Sequence, residues 1–249
     1  VRLARIDAHE AERPAGEYPS LNAYFTRRLK PGARHVEARG AMDVVSPVDG
    51  KLTEFGSIDG QTMVQAKGLE YTLTGLLDSA RDAARYVGGA YMTIYLSPRD
   101  YHRIHAPVRG RLAKMAYVPG HLWPVNMLSV RYVERLFAIN ERLISYIDAA
   151  DTTLGRVALV KVGATCVGKM TTPHAEIVTN QALRRRREFE WGEGGVELGV
   201  GDELATFNLG STVILLFEPG AIDVAEVASV EHVVRMGQRL ASSQGASPL

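Results

Sequence analysis

The sequence has few cysteines, little net charge and no long apolar run, which are the features that would indicate an oxidising compartment, nucleic-acid binding or a membrane-spanning helix. Its one cysteine, Cys166, cannot form an internal disulfide, and its small apolar neighbours are typical of an inert buried thiol. Because 29 Lys and Arg nearly cancel 28 Asp and Glu, no global charge directs the chain to nucleic acid. No segment approaches the roughly 18 to 20 apolar residues that span a bilayer, and no short apolar segment follows a basic start. We therefore expect a reducing compartment, no spanning helix and no secretion signal.

What is present is the composition of a globular protein. Hydrophobic residues make up 46% and charged residues 23% of the 249 positions, which excludes a wholly disordered or collagen-like chain. The polar opening segment is typical of an arm, and Ser20 is placed to cap a short helix that ends at Leu29. We expect residues 1–40 to form this arm and helix, and residues 41–249 to form a single larger domain.

Hydrophobic patterns after residue 40 predict many short strands and few helices. Runs of β-branched and aromatic residues predict strands at 93–96, 115–118, 143–148, 156–162 and 213–217. Apolar spacings of three and four predict helices over residues 72–87 and 130–139. The combination indicates an α+β fold, mainly antiparallel β-sheet in a sandwich or barrel-like core, with a few short helices.

Two histidines, His102 and His105, lie three residues apart just after a predicted strand. Loops at strand ends often hold functional groups, and this spacing would bring both imidazoles to one side of a helical turn. They could bind a metal or act as separate acid and base groups. No His-Glu-x-x-His pattern and no second cysteine is present, and neither His121 nor His174 has a supporting spacing, so no metal is expected.

Ser211 follows Gly210 at the start of an apolar predicted strand, and this pattern fits either a simple turn or a reactive serine. A serine nucleophile needs a base to accept its proton and a further group to orient that base. His105 and Asp49 could fill these two roles, although Asp49 lies in a Pro-Val-Asp-Gly sequence that is also typical of a turn between strands. Spacing alone does not show that the three residues meet.

Eight short segments occur in a specific order along the chain. They are residues 22–29, 46–50 (Ser-Pro-Val-Asp-Gly), 65–68 (Gln-Ala-Lys-Gly), 95–105, 117–126, 140–142 (Asn-Glu-Arg), 162–168 and 209–212 (Leu-Gly-Ser-Thr). The last tetrapeptide is weak alone because its residues are common, but the ordered series is specific. Together the segments resemble the phosphatidylserine decarboxylase family, of the pyruvoyl-dependent prokaryotic type. Residues 169–201 match no segment of that family.

The resemblance implies that the protein is a proenzyme that cuts itself between Gly210 and Ser211. It implies that Asp49 orients His105 and that His105 takes the proton of the Ser211 hydroxyl. The hydroxyl oxygen would then attack the Gly210 carbonyl to form an ester, and elimination would break the chain.

The cut would leave chains of residues 1–210 and 211–249, which stay associated, and Ser211 would become a covalent pyruvoyl group. By the same resemblance, this group is the cofactor: it binds the substrate amine as a Schiff base and accepts the electrons left when carbon dioxide departs. His102 would return a proton to the product, with His105 as the alternative.

The resemblance also implies a phospholipid substrate, phosphatidylserine, that becomes phosphatidylethanolamine; a related lipid with a serine headgroup is the alternative. Leu122, Trp123 and Met127 would provide apolar groups for peripheral binding to an anionic membrane, at the cytoplasmic face of a bacterial cell membrane. The arginines at residues 184–187 would add positive charge there, or form a solvated loop. A homodimer is a further expectation, and nucleic acid is not an expected partner.

Two other classes of function stay open from the residues alone. A non-catalytic β-sandwich module of the lipoyl or biotinyl type would need a lysine at an exposed hairpin tip, for which Lys67 is the candidate, and it would give Ser211 no role. A serine hydrolase would need a Gly-x-Ser-x-Gly sequence, and the sequence after Gly210 lacks the second glycine.

Overall fold

The computed structural model describes residues 6–66, 69–165, 169–180, 185–208, 211–227 and 233–243. Strands dominate these residues, the strands pair antiparallel, and the helices are short, which confirms the predicted α+β class. The sheets are open at their edges and are not closed into a barrel. Several positions singled out in the sequence lie outside the described residues: Lys67, Gly68, Cys166, Arg184 and Gly210.

The described residues contain sixteen strands. In chain order they are β1 (Asp43–Val45), β2 (Gly50–Ser57), β3 (Thr62–Ala66), β4 (Leu69–Thr72), β5 (Ala90–Leu96), β6 (Arg103–His105), β7 (Gly110–Val118), β8 (Arg142–Ala149), β9 (Arg156–Val162), β10 (Met170–Thr171), β11 (Arg187–Glu190), β12 (Val196–Leu198), β13 (Glu203–Phe207), β14 (Ser211–Phe217), β15 (Val233–Val234) and β16 (Arg239–Ser242).

The helices are brief connections between these strands. The α-helices are α1 (Leu21–Phe25), α2 (Leu73–Leu77), α3 (Ala80–Ala83), α4 (Met127–Tyr132) and α5 (Leu136–Ile139). Single turns of 3₁₀-helix span Ala15–Glu17, Ala84–Tyr86, Gly192–Gly194 and Val224–Val227.

The main sheet has the strand order β11-β7-β8-β9-β14-β5-β2-β15, and β12 also pairs with β7. Strand β14 lies at its centre, between β9 and β5, and all seven of its residues are buried. Side chains alternate between the two faces of a strand, so a strand that is buried along its whole length must be covered on both faces. The apolar sequence of β14 follows from this position.

Different layers cover the two faces of the main sheet. A three-stranded sheet, β10-β13-β6, lies on one face, where the Thr172 hydroxyl contacts the Met115 sulfur 4.0 Å away. Helices α2 and α3 lie on the other face: the Arg142 guanidinium of β8 donates to the Leu76 carbonyl of α2 at 2.5 Å. The chain passes from the small sheet to the centre of the main sheet through residues 208–210, which connect β13 to β14.

All five strands predicted from β-branched runs are present, and four of them are longer than predicted. The predicted helix after Ser20 does begin there, since the Ser20 hydroxyl accepts from the Ala23 amide at 3.1 Å, but it ends at Phe25 rather than Leu29. The Thr26 hydroxyl donates to the Asn22 carbonyl at 3.0 Å and so satisfies the end of the short helix.

The two longer predicted helices are each broken in two, so their predicted extents were wrong. Asp78 takes a left-handed conformation (φ 50°) and the Ser79 hydroxyl caps a new helix, so α2 and α3 replace one helix over residues 72–87. Arg135 (φ 53°) likewise separates α4 from α5. The side-chain amide of Gln65 donates to the Val130 and Val133 carbonyls at 2.9 and 2.8 Å, which satisfies the end of α4 from outside the helix.

The N-terminal arm has its own small apolar cluster of Ile6, Ala11 and Tyr24, separate from the main core. Arm and core nevertheless touch, because the Phe25 ring packs against the His102 ring with 3.9 Å between ring centroids. The division into an arm at residues 1–40 and a domain at 41–249 stays a prediction.

A buried cluster of charges attaches α3 to the main sheet. The Lys114 ammonium of β7 contacts the Asp82 carboxylate at 2.9 Å and the Glu188 carboxylate at 3.0 Å, and Arg186 contacts both carboxylates. Burial raises the pKa of Asp82, but the hydrogen bond and charge of Lys114 more than offset burial, so the pKa of Asp82 lies below its usual value. Arg186 is therefore occupied within the fold and is not a free surface charge.

We expect Asp82→Asn to lower the free energy of unfolding by about 2 kcal/mol, because Lys114 and Arg186 then lose the most buried carboxylate that both contact. This is less than the loss for a fully buried pair, since Glu188 still contacts Lys114. The matched change Asp78→Asn, at a half-exposed carboxylate 3.9 Å from Arg186, should stay within about 0.5 kcal/mol of the parent. Urea unfolding of the three proteins measures both values; equal losses would show that the buried cluster contributes nothing specific.

Candidate active site

Ser211 is the first residue of β14 and is fully buried. Its Cα pairs with that of Leu96 on β5, and the pairing of Thr212 with Val162 on β9 puts Gly163 opposite Ser211 on the other side. The Ser211 hydroxyl donates to the Val162 main-chain carbonyl. A serine in this place has fixed neighbours, because both flanking strands are themselves buried.

The His102 imidazole is buried completely against the Phe25 ring of α1. Its Nδ1 lies 2.8 Å from the Asp100 carbonyl oxygen, and its Nε2 is buried without a hydrogen-bond partner. Burial lowers the pKa of His102 to about 3, so the ring is neutral at neutral pH. Because a carbonyl can only accept, the single proton sits on Nδ1, and Nε2 presents a bare lone pair.

The His105 imidazole, at the end of β6, is held at both ring nitrogens. Its Nδ1 lies 2.6 Å from the Gly201 carbonyl oxygen and its Nε2 lies 3.1 Å from the Tyr101 hydroxyl. Nδ1 therefore donates to Gly201, and Tyr101 donates to Nε2. Burial lowers the pKa of His105, and burial raises the pKa of Tyr101 to about 12, so the pair is neutral and the tyrosine stays a donor.

Asp49 lies in the turn between β1 and β2, as the sequence predicts, and this turn contacts His105 through its main chain: the His105 amide donates to the Pro47 carbonyl at 2.9 Å. The Asp49 carboxylate itself accepts from the Arg34 guanidinium at 2.8 Å and from the Met236 amide at 2.9 Å. The structure thus places Asp49 beside His105 in the fold, while the hydrogen bonds of the carboxylate go to Arg34 and Met236.

The two histidines do not lie on a helical turn, so that expectation was wrong. His105 belongs to strand β6 and His102 immediately precedes it. In the described residues, no group of three or more His, Cys, Asp or Glu side chains is arranged around a common metal position.

Two short stretches of the sequence link His102 to the start of β14. One leaves β5 at Leu96, the residue opposite Ser211, and reaches His102; the Asp100 carboxylate accepts from the Ser97 amide at 2.7 Å within it. The other begins at Phe207, whose amide donates to the His102 carbonyl at 3.0 Å, and reaches Ser211 four residues later. In this structure the Ser211 hydroxyl bonds to Val162 rather than to either imidazole.

A cavity of about 440 Å³ opens beside Thr212, on the face of the sheet opposite the Ser211 side chain. Its apolar lining comes from Leu52, Val125, Met127, Val130 and Phe137, and its polar lining includes Glu54, Gln65, Tyr95, Asp100 and Thr212. The Gln65 Oε1 and Thr212 Oγ1 atoms are buried without hydrogen-bond partners. Burial raises the pKa values of the Glu54 and Asp100 carboxyl groups.

Large apolar side chains are exposed on α4 and on the segment before it, and one of them lines this cavity. Trp123, Met127, Leu128 and Tyr132 are between 50% and 77% exposed. Met127 lines the cavity, and Leu128 and Tyr132 are exposed on the same helix, α4. Within the described part of the chain, none of the helices is long and apolar enough to cross a membrane.

Sequence reasoning missed the groups that contact the predicted site residues. Tyr101 lies inside the segment that drew attention to the histidines, so a hydroxyl one residue before His102 was a usable signal. Gly201 acts through its carbonyl, and Arg34 reaches Asp49 from the N-terminal arm. No sequence pattern identifies contacts of these two kinds.

The fold and site define a class of protein: a mainly antiparallel α+β protein with a buried serine at the start of a central strand, two buried neutral imidazoles at and just before β6, and an apolar cavity against the residue after the serine. The family model for phosphatidylserine decarboxylase matches residues 21–242. A phosphatidylserine decarboxylase proenzyme of Myxococcus xanthus is 46% identical over 240 residues, covering 96% of this chain and 84% of the relative. The corresponding proenzyme of Brevibacillus brevis is 45% identical over 245 residues, covering 98% and 86%.

A proenzyme of the same name from Shewanella sp. (strain MR-7) is 44% identical over 248 residues, covering 97% of this chain and 84% of the relative. The chain belongs to the phosphatidylserine decarboxylase family, which confirms the resemblance noted in the sequence.

The state of His105 gives a pH prediction. If this imidazole is the base of self-cleavage, the active form is the neutral ring, and burial extends that form to pH values below its ordinary pKa of 6.5. We expect the rate of self-cleavage to be constant from pH 8 down to about 6.5 and to fall only in more acidic buffer. Freshly translated protein, shifted to each pH and sampled on gels, gives the rate. A midpoint at or above pH 6.5 would contradict a buried imidazole base.

Proposed function

We propose that this chain is a proenzyme that cuts itself between Gly210 and Ser211 and then converts phosphatidylserine to phosphatidylethanolamine and carbon dioxide. The observation that supports this most is the position of Ser211: a fully buried serine at the first residue of the central strand, in a chain that belongs to the phosphatidylserine decarboxylase family. A fully buried serine cannot contact a partner at the protein surface, whereas its fixed geometry suits an attack on the neighbouring peptide carbonyl.

In self-cleavage, the Ser211 oxygen attacks the Gly210 carbonyl carbon while His105 takes the hydroxyl proton. The lone pair on His105 Nε2, now hydrogen-bonded by Tyr101, is the base, and Nδ1–H is fixed by the Gly201 carbonyl. The reaction requires the Ser211 hydroxyl to turn away from Val162. Asp49 is a positioning residue: it holds the turn whose Pro47 carbonyl binds the His105 main chain.

The residues around Ser211 fit the pyruvoyl group that the family implies. Gly163, with no side chain, lies opposite Ser211, and the neighbouring Thr212 oxygen and His102 Nε2 are buried atoms without partners. Such atoms are explained when a polar group occupies the site. When present, the pyruvoyl group supplies a carbonyl that binds an amine and withdraws the electrons left by a departing carboxylate.

His102 is the residue that manages the proton in decarboxylation. Its Nδ1–H is fixed on the Asp100 carbonyl, so Nε2 is the atom that must receive and deliver the proton. Asp100 also lines the cavity beside Thr212, so His102 contacts a residue of the cavity wall. A neutral ring in a buried place is a suitable proton carrier once a nearby negative charge raises its pKa.

The cavity beside Thr212 is the substrate site, and a lipid fits its lining. Apolar side chains cover the wall nearest α4, whereas the cationic side chains of Lys51, Arg99 and Arg131 also face the cavity and suit a phosphate. The exposed apolar residues of α4 would rest in the membrane interface, so that the acyl chains need not cross water. These features support peripheral binding to a membrane surface; the cytoplasmic face of a bacterial membrane is the side that the family resemblance implies.

The two products of the cut, residues 1–210 and 211–249, remain one folded protein. Strand β14 pairs with β5 along its whole length and with β9 over residues 212–216, and these contacts do not involve the broken bond.

Substitutions at the serine and the histidines separate the two reactions. Ser211→Ala should leave one uncut chain, because the attacking oxygen is gone. Asp49→Ala and His105→Ala should also block cutting. His102→Ala should be cut and yet lose decarboxylase activity roughly a hundredfold or more.

Gel bands measure cutting and released carbon dioxide measures decarboxylation. His174→Ala, at a partly exposed histidine whose Nε2 lies 3.0 Å from the Glu203 carbonyl, is the matched control and should behave as the parent does. Fragments from the Ser211 variant would contradict the proposed function. An uncut His102 variant would show that the role assigned to His102 is wrong.

The lipid surface is tested by Leu128→Gln on α4. Leu128 is 66% exposed, so the change costs little stability, but it should weaken sedimentation with vesicles that contain phosphatidylserine, by roughly threefold or more. The control, Val87→Gln, changes an exposed apolar residue near Ala90, the far end of β5 from Ser211. Equal vesicle binding by both variants and the parent would show that α4 does not contact the membrane.

A further inference from the structure

The Asn-Glu-Arg sequence at residues 140–142 contains one carboxylate, that of Glu141, which has no role in the reactions described above. The Asn140 amide donates to the Trp123 and Gly163 carbonyls at 2.8 and 2.9 Å, and so joins the Trp123 loop to the end of β9. The Arg142 guanidinium donates to carbonyls at the end of α2. Both residues therefore have structural partners for their polar atoms, but Glu141, between them, has a free oxygen.

Glu141 is only 4% exposed, and only one of its two carboxylate oxygens has hydrogen-bond partners. Its Oε1 accepts from the Tyr117 hydroxyl at 2.6 Å and from the Asn180 amide at 2.8 Å, while Oε2 is buried without a hydrogen-bond partner. Burial raises the pKa of Tyr117, and so does its bond to Glu141, so the tyrosine stays a donor. A bare carboxylate oxygen in a dry place is costly, which indicates a function.

Glu141, Gly163 and Ser211 form a row across three neighbouring strands. Arg142 pairs with Val162, and Val162 pairs with Thr212. Because neighbouring strands are antiparallel, the residue before Arg142 lies beside the residue after Val162, which in turn lies beside the residue before Thr212. Glu141, Gly163 and Ser211 therefore lie side by side. The Gly163 amide donates to the Glu141 carbonyl at 2.7 Å, which extends this pairing beyond the named strands.

The row lies on one face of the sheet. Arg142 points to α2 and Thr212 lines the cavity on that same face. Side chains alternate along a strand, so Glu141 and Ser211 both point to the opposite face. A Cβ added to Gly163 would lie 3.7 Å from Glu141 Oε2, so the free oxygen leans over the glycine that separates it from Ser211.

We propose that Glu141 is the base that removes the Cα proton of residue 211 during self-cleavage, a step that rests on the proposed function. When the Ser211 oxygen forms the ester with Gly210, the Gly210–Ser211 C–N bond breaks and the freed amino group of residue 211 takes up the proton that the hydroxyl gave to His105. Oε2 of Glu141 then takes the Cα proton. The electrons of the C–H bond form the Cα=Cβ double bond, the Cβ–Oγ bond breaks, and its electrons leave with the Gly210 carboxylate. Water then displaces ammonia from residue 211 and leaves the ketone, and no oxidant is required.

The free oxygen of Glu141 suits this step better than the His105 imidazole does. His105 is engaged at both nitrogens by Gly201 and Tyr101, and its assigned task is the hydroxyl proton. A Cα proton is weakly acidic, so its removal needs a base without a competing donor in a site that excludes water. In the described residues, the strand register places the Glu141 carboxylate on the same face of the sheet as Ser211, one strand beyond Gly163.

The test is Glu141→Gln, which keeps the shape and an acceptor for Tyr117 but removes the base. We expect the ester to form and its elimination to slow roughly a hundredfold. The variant should then run as one chain on a gel, and neutral hydroxylamine, which attacks esters, should split it into residues 1–210, with a hydroxamate at Gly210, and 211–249 with an intact serine. Mass spectrometry identifies both ends.

Two controls separate this inference from the proposed function. Ser211→Ala should resist hydroxylamine, because no ester can form; cutting in that variant would overturn self-cleavage by Ser211 itself. Glu218→Gln makes the same chemical change just beyond the other end of β14 and should mature as the parent does.

Two outcomes would overturn the role of Glu141. One is a Gln variant that matures at the parental rate. The other is a folded Gln variant that stays uncut and resists hydroxylamine, which would place Glu141 before ester formation. If the Gln variant does not fold, Glu141→Asp decides: it retains a carboxylate that is one carbon shorter, and it should accumulate the same ester, whereas a parental rate of maturation would overturn the proposal.

Discussion

The pairing of β14 between β9 and β5 is the constraint on which the rest of the site depends. It buries Ser211 completely and fixes which residues lie on either side, Gly163 and Leu96. An intramolecular reaction gains most from fixed geometry, because the entropy of bringing the groups together is lost during folding and not during the reaction. The same pairing continues through residue 217, so it would hold the strand in place after the proposed cut before Ser211.

Burial also decides the charge state of the site. Both imidazoles are neutral because desolvation lowers their pKa values, and each donates its only ring proton to a main-chain carbonyl, Asp100 for His102 and Gly201 for His105. In this state each ring is a base and neither is an acid. That suits the removal of protons during self-cleavage. Proton return by His102 requires an additional negative charge, and the carboxylate of the proposed substrate is such a charge.

The fold class and the strands could be predicted from the sequence because apolar β-branched runs such as those of β9 and β14 suit a buried sheet in almost any context. Helix limits could not, since Asp78, Arg135 and the Gln65 amide end helices through conformations and contacts that lie outside the local pattern. The chemistry at Ser211, His102, His105 and Asp49 was predicted from family resemblance, and it stays a prediction. The partners Tyr101, Gly201 and Arg34 depend on tertiary contacts between distant segments.

In the proposed mechanism, the two faces of β14 separate the two reactions in space. The Ser211 side chain and Glu141 lie on the face covered by the small sheet, whereas Thr212 lines the cavity on the other face. Self-cleavage consumes the side-chain oxygen of Ser211, but the carbon that remains reactive is a main-chain atom, and a main-chain atom belongs to both faces of a sheet. A buried base can therefore serve maturation from one side, sheltered from water and lipid, while a substrate approaches the same residue from the other. Gly163 is compatible with this arrangement because a larger residue there would stand between Glu141 and Ser211.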